Sequence, residues 1–302
     1  MTDSKQNKPT HHSGFITIIG APNAGKSTLL NRMLGEKISI TSKKPQTTRN
    51  RILGILHRPH CQMVFLDTPG VHKANNPLNV RIVETAIAAL ADAEVVLLLV
   101  DASAPDPESE KILIENLKSL KCPVILALNK IDKIEKQRLL EMIDYWQHSR
   151  MFTAIVPISA KHGTQVEKLL EELHIHLPEG PPYFPADSLT DMPERFIAAE
   201  MIREKAFRQT GQEIPYAIAV TIDDFEEETS RKMVRIHATL HVERNSQKGI
   251  LIGKNGSKLR QIGEDARKEI QRMVGCKVFL KLFVRVQKNW SKDTKALRRF
   301  GY

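Results

Sequence analysis

Cysteine is scarce in this sequence, and long apolar runs are missing. The 302 residues contain three cysteines, Cys61, Cys122 and Cys276, which are widely separated and show no CxxC or Cys/His metal spacing. We therefore expect no disulfide framework and a cytoplasmic location, where thiols stay reduced. Because no run of about 18 apolar residues occurs, the sequence predicts no transmembrane helix.

The first residues carry no targeting pattern. The opening MTDSKQNKPTHHS is polar, and it lacks both the apolar core of a signal peptide and the arginine-rich pattern of a transit sequence. We expect residues 1–13 to form a disordered tail. The whole chain is 41% apolar and 26% charged, and its length is enough for about two globular domains.

Positive charge is concentrated towards the C-terminus. The net charge is +10, but residues 231–302 contain 19 Lys and Arg against 5 Asp and Glu, whereas the first 230 residues contain 26 against 30. The stretch LPEGPPYFPADSLTDMPE, residues 177–194, is rich in proline and turn-forming residues and predicts a linker. We expect a first domain over residues 14–177, a linker over residues 178–194 and a second domain over residues 195–302.

A glycine-rich turn joins the first predicted strand to the first predicted helix. Residues 15–19 are a β-rich apolar run, residues 28–34 have helical leucine spacing, and GAPNAGKS between them matches GxxxxGKS in full. Its glycines let backbone N–H groups curl around phosphate oxygens at a helix N-terminus, which favours an anion. Lys26 can then reach the β- and γ-phosphates, and the Ser27 hydroxyl can hold Mg²⁺. The turn predicts a nucleoside triphosphate site.

Short apolar runs alternate with helical patterns in the first half of the chain. Alternation of this kind indicates an α/β fold, with a doubly wound, mostly parallel sheet and a site at the carboxyl ends of its strands. The motif DTPG follows the third run, NKID follows the fifth and ISA follows the sixth. The predicted strands cover residues 15–19, 52–56, 62–66, 95–100, 124–128 and 154–158.

These three strand ends carry groups that suit a guanine nucleotide. Asp67 can hold Mg²⁺ through water, and Gly70 can donate its backbone N–H to the γ-phosphate. The two carboxylate oxygens of Asp132 can accept from N1–H and the exocyclic amine of guanine, which adenine cannot match. Asn129 and Lys130 would brace the loop and cover the base, and the backbone N–H that meets guanine O6 would come from Ala160.

The motifs GAPNAGKS, PQTTR, DTPG, NKID and SA, in this order, resemble the translation-factor class of small GTPases. The resemblance implies GTP and GDP as ligands, Mg²⁺ held by Ser27, Asp67 and a switch threonine, switch I over residues 43–51 and switch II from Asp67 to about residue 78. The switch threonine is Thr47 or Thr48, and Thr48 is favoured. The predicted nucleotide contacts are Gly20, Ala21, Pro22, Asn23, Ala24, Gly25, Lys26, Ser27, Thr28, Thr47, Thr48, Asp67, Thr68, Pro69, Gly70, Val71, Asn129, Lys130, Ile131, Asp132, Ser159 and Ala160.

The residue after DTPG departs from the signalling GTPases. Those enzymes place a glutamine there to orient the attacking water, whereas this chain has Val71, which cannot form a side-chain hydrogen bond. The resemblance to GTPases with an apolar residue at this place implies help from a monovalent cation, and Asn23 matches the asparagine that coordinates K⁺ in such proteins. Asn23 is alternatively a turn-former that tolerates unusual φ. The resemblance implies slow intrinsic hydrolysis, with Lys26, Thr48, Gly70 and Asn23 as the catalytic residues.

The second half has another pattern. A helix is predicted over residues 195–209, strands over 215–222 and 234–242 joined by the acidic tip DDFEEETSRK, two helical segments around GKNG, and a strand over 276–286. This α-β-β-α-α-β order resembles a KH domain of the bacterial type (type II), in which the GxxG loop clamps about four nucleotides of single-stranded RNA. The candidate RNA-binding residues are Ile250, Ile252, Gly253, Lys254, Asn255, Gly256, Lys258, Arg260 and Arg267.

A P-loop GTPase followed by this KH domain resembles the Era GTPases over residues 14–302. The resemblance implies a monomer that binds the 3′ end of 16S rRNA during maturation of the small ribosomal subunit. Two alternatives stay open from the residues alone: an RNA-binding module whose nucleotide site is static, and a regulatory GTPase peripheral to the cell membrane, since the basic charge also suits anionic lipid. Intact Lys26, Ser27 and Asp67 favour turnover over the static site.

Overall fold

The computed structural model describes residues 10–42, 47–74, 77–149, 151–210, 218–228 and 232–301. Single 3₁₀ turns cover Ile131–Lys133, Lys254–Gly256 and Trp290–Lys292. The helices and strands are, in chain order, β1 His12–Gly20, α1 Lys26–Leu34, β2 Ile52–Arg58, β3 Cys61–Asp67, α2 Pro77–Ala88, β4 Val95–Asp101, α3 Pro107–Leu117, β5 Val124–Asn129, α4 Lys136–Gln147, β6 Ala154–Pro157, α5 Val166–Ile175, α6 Glu194–Gln209, β7 Ala219–Glu228, β8 Met233–Val242, α7 Asn245–Ile252, α8 Ser257–Val274, β9 Lys277–Val286 and α9 Thr294–Arg299.

The first six strands form one sheet in the order β2-β3-β1-β4-β5-β6. Neighbours are parallel except β2 and β3, which are antiparallel. Helices α1 and α5 pack on one face of the sheet, and α2, α3 and α4 pack on the other. Covering both faces explains why β4, VVLLLVD, is apolar along its length instead of alternating. The predicted doubly wound, mostly parallel sheet is confirmed.

The last three strands form a second sheet in the order β7-β8-β9. Strands β7 and β8 are antiparallel, whereas β8 and β9 are parallel. Residues Ile262, Ala266 and Ile270 of α8 recur one helical turn apart and are fully buried against the inner face of this sheet, together with apolar residues of α6 and α7. The predicted α+β domain with α-β-β-α-α-β order is confirmed.

Two boundaries differ from the sequence prediction. Strand β1 begins at His12, because His12 and Ser13 pair with Cys61 and Gln62 of β3, so these two residues of the predicted tail are ordered strand. Part of the predicted acidic tip is also strand: β7 continues to Glu228 through a bulge, Glu228 is opposite Met233 of β8, and the Glu228 side chain forms an ion pair with Arg235. The tail residues 1–9, the predicted strand residues 215–217 and the tip residues 229–231 lie outside the described residues.

The segment between the domains is hydrogen-bonded to the first sheet. Residues 178–193, which we call the connector, contain no named helix or strand. The backbone N–H of Ile55 in edge strand β2 donates to Leu189 O at 2.8 Å. Further hydrogen bonds join Ser13 Oγ to Pro181 O at 2.6 Å, Gln62 Nε2 to Phe184 O at 2.8 Å and Thr190 Oγ1 to Leu53 O at 2.5 Å. The connector therefore follows a fixed path along the sheet.

The two domains meet in an apolar cluster and a charged cluster. In the apolar one, Leu78 and Ile82 of α2 pack against Ala219 and the C-terminal residues Trp290, Ala296, Leu297 and Phe300. In the charged one, Lys37 Nζ lies 2.5 Å from Glu204 of α6 and 3.0 Å from Glu269 of α8. Within the described residues, no helix has both the length and the apolar character needed to cross a bilayer.

Candidate functional site

The phosphate-binding turn lies between β1 and α1. Its Gly25 has φ 106°, in the left-handed region, and a Cβ there would lie 2.3 Å from Asn129 Nδ2, so no other residue fits without displacement. Helix α1 starts at Lys26 and has no side-chain cap on its first turn. The backbone N–H groups of that turn are therefore available to a phosphate, which the helix dipole also favours.

Lys26 is held inside this turn. Its Nζ donates to the carbonyl oxygens of Gly20 at 3.0 Å and Ala21 at 2.9 Å. Burial lowers the pKa of Lys26 to about 8, and the neighbouring Asp67 carboxylate opposes that shift. An anionic triphosphate beside the ammonium stabilises its charged form in the same way as Asp67 does, so nucleotide binding and Lys26 protonation reinforce each other.

Four oxygen-bearing side chains meet below the turn. Ser27 Oγ lies 2.7 Å from Asp67 Oδ2 and 2.8 Å from Thr48 Oγ1, and Ser39 Oγ also donates to Asp67 Oδ2 at 2.8 Å. Asp67 is fully buried, and its Oδ1 has no hydrogen-bond partner among the described residues. Burial raises the pKa of Asp67, although the hydrogen bond from Ser27 opposes the shift. A buried carboxylate with a spare oxygen, beside two hydroxyls, fits Mg²⁺, which prefers oxygen ligands.

The side-chain amide of Asn129 hydrogen-bonds the base-recognition loops to the phosphate-binding turn. Asn129 is 2% exposed, its Nδ2 donates to Ala24 O at 2.7 Å, and its Oδ1 accepts from Ala160 N at 2.9 Å. Asp132 is held by Ser159 Oγ, which donates to Oδ1 at 2.6 Å, and this hydrogen bond lowers the pKa of Asp132. The Asp132 carboxylate is thus ionised and oriented, as an acceptor for two guanine N–H groups must be.

Several residues of this site were not predicted from the sequence. Asp101 forms an ion pair with Lys130 and helps line a cavity of about 860 Å³ that holds the P-loop, NKID and Ala160 side by side. It ends β4, so the strand-end logic that found Asp67 could have found it. Ser39, whose hydroxyl donates to Asp67, had no such signal in the sequence. Neither did Arg208 of α6, which lines the cavity from the second domain and donates to Thr41 O at 3.1 Å.

Val71 and Asn23 take different positions at the nucleotide site. Val71 is fully buried in the core between the sheet and α2, and its backbone N–H donates to Gly20 O at 3.2 Å. Its side chain is thus packed away from the cavity and positions no water. Asn23 lines the cavity with φ 63°, and its carbonyl oxygen accepts from Lys130 Nζ at 2.8 Å.

The GxxG segment forms a tight exposed turn between α7 and α8. Gly253, Asn255 and Gly256 have φ values of 71°, 52° and 75°, so three of the four residues have positive φ. A Cβ on Gly253 would lie 2.8 Å from Lys258 Cβ, which explains the glycine. Lys254 and Asn255 are exposed at its tip.

The other candidate RNA residues do not form one surface. Ile250 is 40% exposed beside the turn, Ile252 is half-buried, and Lys258 lies against Gly253. Arg260 and Arg267 are exposed, but at 100° per residue they lie on the side of α8 opposite Lys258. The structure therefore places Lys254 and Lys258 at the turn, with Ile250 on the helix that leads into it, and puts both arginines on the far side of α8.

Switch I is joined to the second domain. Arg49, next to Thr48, is 2% exposed; its Nη1 donates to Ile218 O at 2.9 Å, and its guanidinium carbon lies 5.7 Å from the ring centroid of Phe207. The backbone oxygen of Thr47 accepts from Arg203 Nη2 of α6 at 2.5 Å. Residues 43–46 of the predicted switch I and residues 75–76 of switch II lie outside the described residues.

Known proteins resemble the chain along almost its whole length. Residues 15–130 match the family described as "50S ribosome-binding GTPase", and residues 213–291 match "KH domain". "GTPase Era" of Geotalea uraniireducens is 53% identical over 290 residues, covering 96% of this chain and 97% of that protein. "GTPase Era" of Geobacter metallireducens is 54% identical over 290 residues, with the same coverage of 96% and 97%.

Two solved structures share the whole architecture. Era in complex with MgGDPNP and nucleotides 1506–1542 of 16S ribosomal RNA has a TM-score of 0.93 at 41% identity, covering 97% of this chain and 99% of that one. An Aquifex aeolicus Era variant bound to GDP·AlF4⁻ has a TM-score of 0.93 at 41% identity, covering 96% and 99%. Similarity of this extent, across both domains and the connector, shows that the chain belongs to the Era family of GTPases.

Proposed function

We propose that this GTPase binds the 3′ end of 16S rRNA through its GxxG domain, under control of the bound nucleotide, and acts in biogenesis of the small ribosomal subunit. The observation that carries the nucleotide control is the contact of both switches with the second domain. Arg49 follows Thr48 directly and is buried there, and α2, which follows switch II, packs on Trp290 and Phe300. The RNA itself is proposed from the relative whose structure contains that rRNA segment.

In the hydrolytic reaction, the chain's own groups bind and orient the triphosphate. Lys26 neutralises the β- and γ-phosphate oxygens, and the Gly70 backbone N–H donates to the γ-phosphate. Ser27, Thr48 and Asp67 would hold Mg²⁺, with Asp67 acting through water. When bound, Mg²⁺ neutralises charge that develops on the phosphate oxygens.

Signalling GTPases have a water-orienting glutamine at the position of Val71. We propose that K⁺ takes over the role of this glutamine. Asn23 lines the cavity, and the buried Val71 side chain leaves water positioning to other groups. Exchanging K⁺ for Na⁺ should slow GTP hydrolysis, and Asn23→Ala should remove the difference between the two salts. Equal hydrolysis rates of the wild type in both salts would exclude this role.

The proposed control of RNA binding by the nucleotide depends on contacts between the domains that differ between the GTP and GDP states. If GTP draws Thr48 onto Mg²⁺, Arg49 moves with it, and the energy of its contacts with Ile218 and Phe207 then depends on the nucleotide. A ligand shifts an equilibrium only through its different affinities for the two states. Because residues on both sides of this interface are buried, a shift at Thr48 must repack the second domain or break the interface.

The RNA part is tested at the exposed tip of the GxxG turn. Lys254→Asp/Asn255→Asp keeps both glycines but places negative charge where phosphates should lie. We expect affinity for an RNA of the 16S 3′ end to fall by roughly 3 kcal/mol, through lost contacts and added repulsion. Fluorescence anisotropy measures it, and unchanged GTP affinity is the control for folding.

The nucleotide part uses the wild-type chain. RNA affinity should be higher with a non-hydrolysable GTP analogue than with GDP. Equal affinities would mean that the two domains bind their ligands independently and that the nucleotide does not control RNA binding.

We further propose that the protein is a cytoplasmic monomer. The alternative is a GTPase that binds the membrane surface. It predicts GTP-dependent binding to anionic vesicles that is retained in the GxxG variant, and sedimentation with such vesicles in place of RNA tests it.

A further inference from the structure

The outer face of strand β9 is unlike the rest of the second domain's surface. The strand alternates strictly: Val278, Leu280, Leu282 and Val284 face the core under α7 and α8. The opposite face carries three cations and two aromatic rings. The rings are Phe279, which is 48% exposed, and Phe283, which is 45% exposed. This row, which we call the β9 outer row, consists of Lys277, Phe279, Lys281, Phe283 and Arg285.

Cations and rings are interleaved in this row. Phe279 and Phe283 are four residues apart, which places them about 13 Å apart along the strand at a rise of ~3.3 Å per residue. Lys281 lies between them, and its Nζ is 5.1 Å from the ring centroid of Phe283. The three cations of the row form no ion pair with a described residue, so their charge is available to an anion.

Acidic residues of the same sheet lie on β7, on the far side of β8 from the β9 outer row. Glu228 and Asp224 of β7 pair with Arg235 and His237 of β8, the second pair at 3.9 Å. The outer face thus runs from an acidic edge at β7 to a basic, aromatic edge at β9. Among the described strands, β9 has a neighbour only on the β8 side. A polyanion lying on this face is therefore directed along β9.

We propose that the β9 outer row is a second RNA-binding surface, on which bases of the strand leaving the GxxG groove stack on Phe279 and Phe283 while Lys277, Lys281 and Arg285 contact its phosphates. Aromatic rings spaced along a positively charged strand bind single-stranded nucleic acid in this way, without sequence preference. Helix α7, which precedes the GxxG turn, packs on the inner face of β9. One strand therefore separates the groove from the outer row.

A lipid surface fits the row less well than RNA. The neighbouring strand contributes Arg235, His237 and Thr239 to the same face, so the rings do not form a continuous apolar patch that could enter a bilayer. Base stacking requires only the flat face of each ring, and both rings are about half exposed.

The test compares RNA length, because the GxxG turn clamps about four nucleotides. Oligonucleotides of five and fifteen nucleotides from the 3′ end of 16S rRNA are titrated against full-length protein. Phe279→Leu/Phe283→Leu should weaken binding of the fifteen-nucleotide RNA at least tenfold and leave the five-nucleotide RNA unaffected, because leucine keeps the apolar bulk but cannot stack. Phe279→Tyr/Phe283→Tyr should bind both RNAs like the wild type.

Two controls separate this proposal from the RNA-binding function on which it rests. Tyr145→Leu removes an aromatic ring that is 71% exposed on α4 and should change nothing. Lys254→Asp/Asn255→Asp should weaken both RNAs; if the wild type binds neither RNA, the RNA-binding function and the proposal fail together. Binding of the fifteen-nucleotide RNA that is unchanged in the leucine variant overturns the proposal alone. The proposal is also overturned if the leucine variant keeps its RNA affinity but loses affinity for vesicles or for ribosomal proteins, because the row then binds another partner.

Discussion

The nucleotide site and the GxxG turn, which we propose as the RNA clamp, would meet the same chemical group, a phosphate, in opposite ways. In the nucleotide site the polar groups are buried and already bonded to one another, as Ser27, Thr48 and Ser39 are around Asp67. At the GxxG turn, Lys254 and Asn255 are exposed, and backbone geometry alone shapes the site.

This difference teaches where specificity can arise. A buried acceptor left without its partner costs about 1–3 kcal/mol, so the nucleotide site discriminates between ligands that differ by one donor. An exposed cation contributes mainly salt-dependent attraction, which is nearly independent of sequence. We therefore expect the largest effects of conservative substitutions in the buried site and small ones at the turn, where only charge reversal acts strongly.

The strongest test of the comparison is Asp67→Asn. The substitution keeps the shape but removes the buried negative charge and the free Oδ1 that suit Mg²⁺. We expect kcat/KM for GTP to fall by at least 100-fold, about 3 kcal/mol, measured by phosphate release. Thr17→Ser, which alters another buried hydroxyl bonded to Ala89 O, is the matched control and should retain activity. Hydrolysis within a few fold of the wild type would show that burial around Asp67 has no catalytic role.

Base choice is the next test. Asp132→Asn replaces one acceptor oxygen by a donor that faces the N–H groups of guanine. GTP affinity should fall by roughly 2–3 kcal/mol, while the weak affinity for ATP stays the same. Competition between the two nucleotides measures the ratio. An unaltered preference for GTP would remove Asp132 from base recognition.

The dependence of folding stability on acid pH tests a third buried region, the interface between the two domains. Burial lowers the pKa of His241 to about 4, and its ring packs 4.6 Å from that of Phe300. Since the folded pKa lies below the unfolded value of about 6.5, the unfolded chain binds more protons between these values. Stability is therefore retained above pH 6.5 and decreases as the pH falls towards 4, by up to about 3 kcal/mol.

His241→Gln keeps a partner for Thr221 Oγ1, which lies 3.0 Å from Nε2, but does not titrate. Urea unfolding at pH 7 and pH 4.5 measures the effect. The wild type should lose more stability than the variant over this range, and equal losses would assign the acid sensitivity to other groups.

The smallest expected effect concerns the link between the two sites. Arg49→Lys keeps the charge but loses the planar group beside Phe207 and Trp290. GTP hydrolysis should remain, while the ratio of RNA affinities with a GTP analogue and with GDP should fall at least fivefold, towards one. Lys295→Arg, on α9, is the control. An unchanged ratio would place the coupling elsewhere, at α2 or at Arg208.

The sequence was sufficient for both sheets and for motifs that the structure gathers around one cavity, because apolar runs and glycine turns are local signals. It was insufficient for contacts made between distant residues. Nothing local to Arg208 or Ser39 marks them as neighbours of a nucleotide cavity. The rotation of 100° per residue could have separated Lys258 from Arg260 on the predicted helix, and the sequence prediction did not apply it. Strand β1 starts earlier than expected because β3 offers pairing partners to His12 and Ser13, whose own propensities are weak.

The connector has a mechanical consequence. Its hydrogen bonds to Ser13, Gln62, Ile55 and Leu53 leave only about three residues before α6 that are not fastened to the first sheet. The second domain is therefore attached to the first through a segment of only about three residues, which limits how far the two can separate if the interface between them opens. A rearrangement at the nucleotide site would then move the second domain as a tethered body, and the GxxG turn at residues 253–256 would stay within a short distance of the first domain.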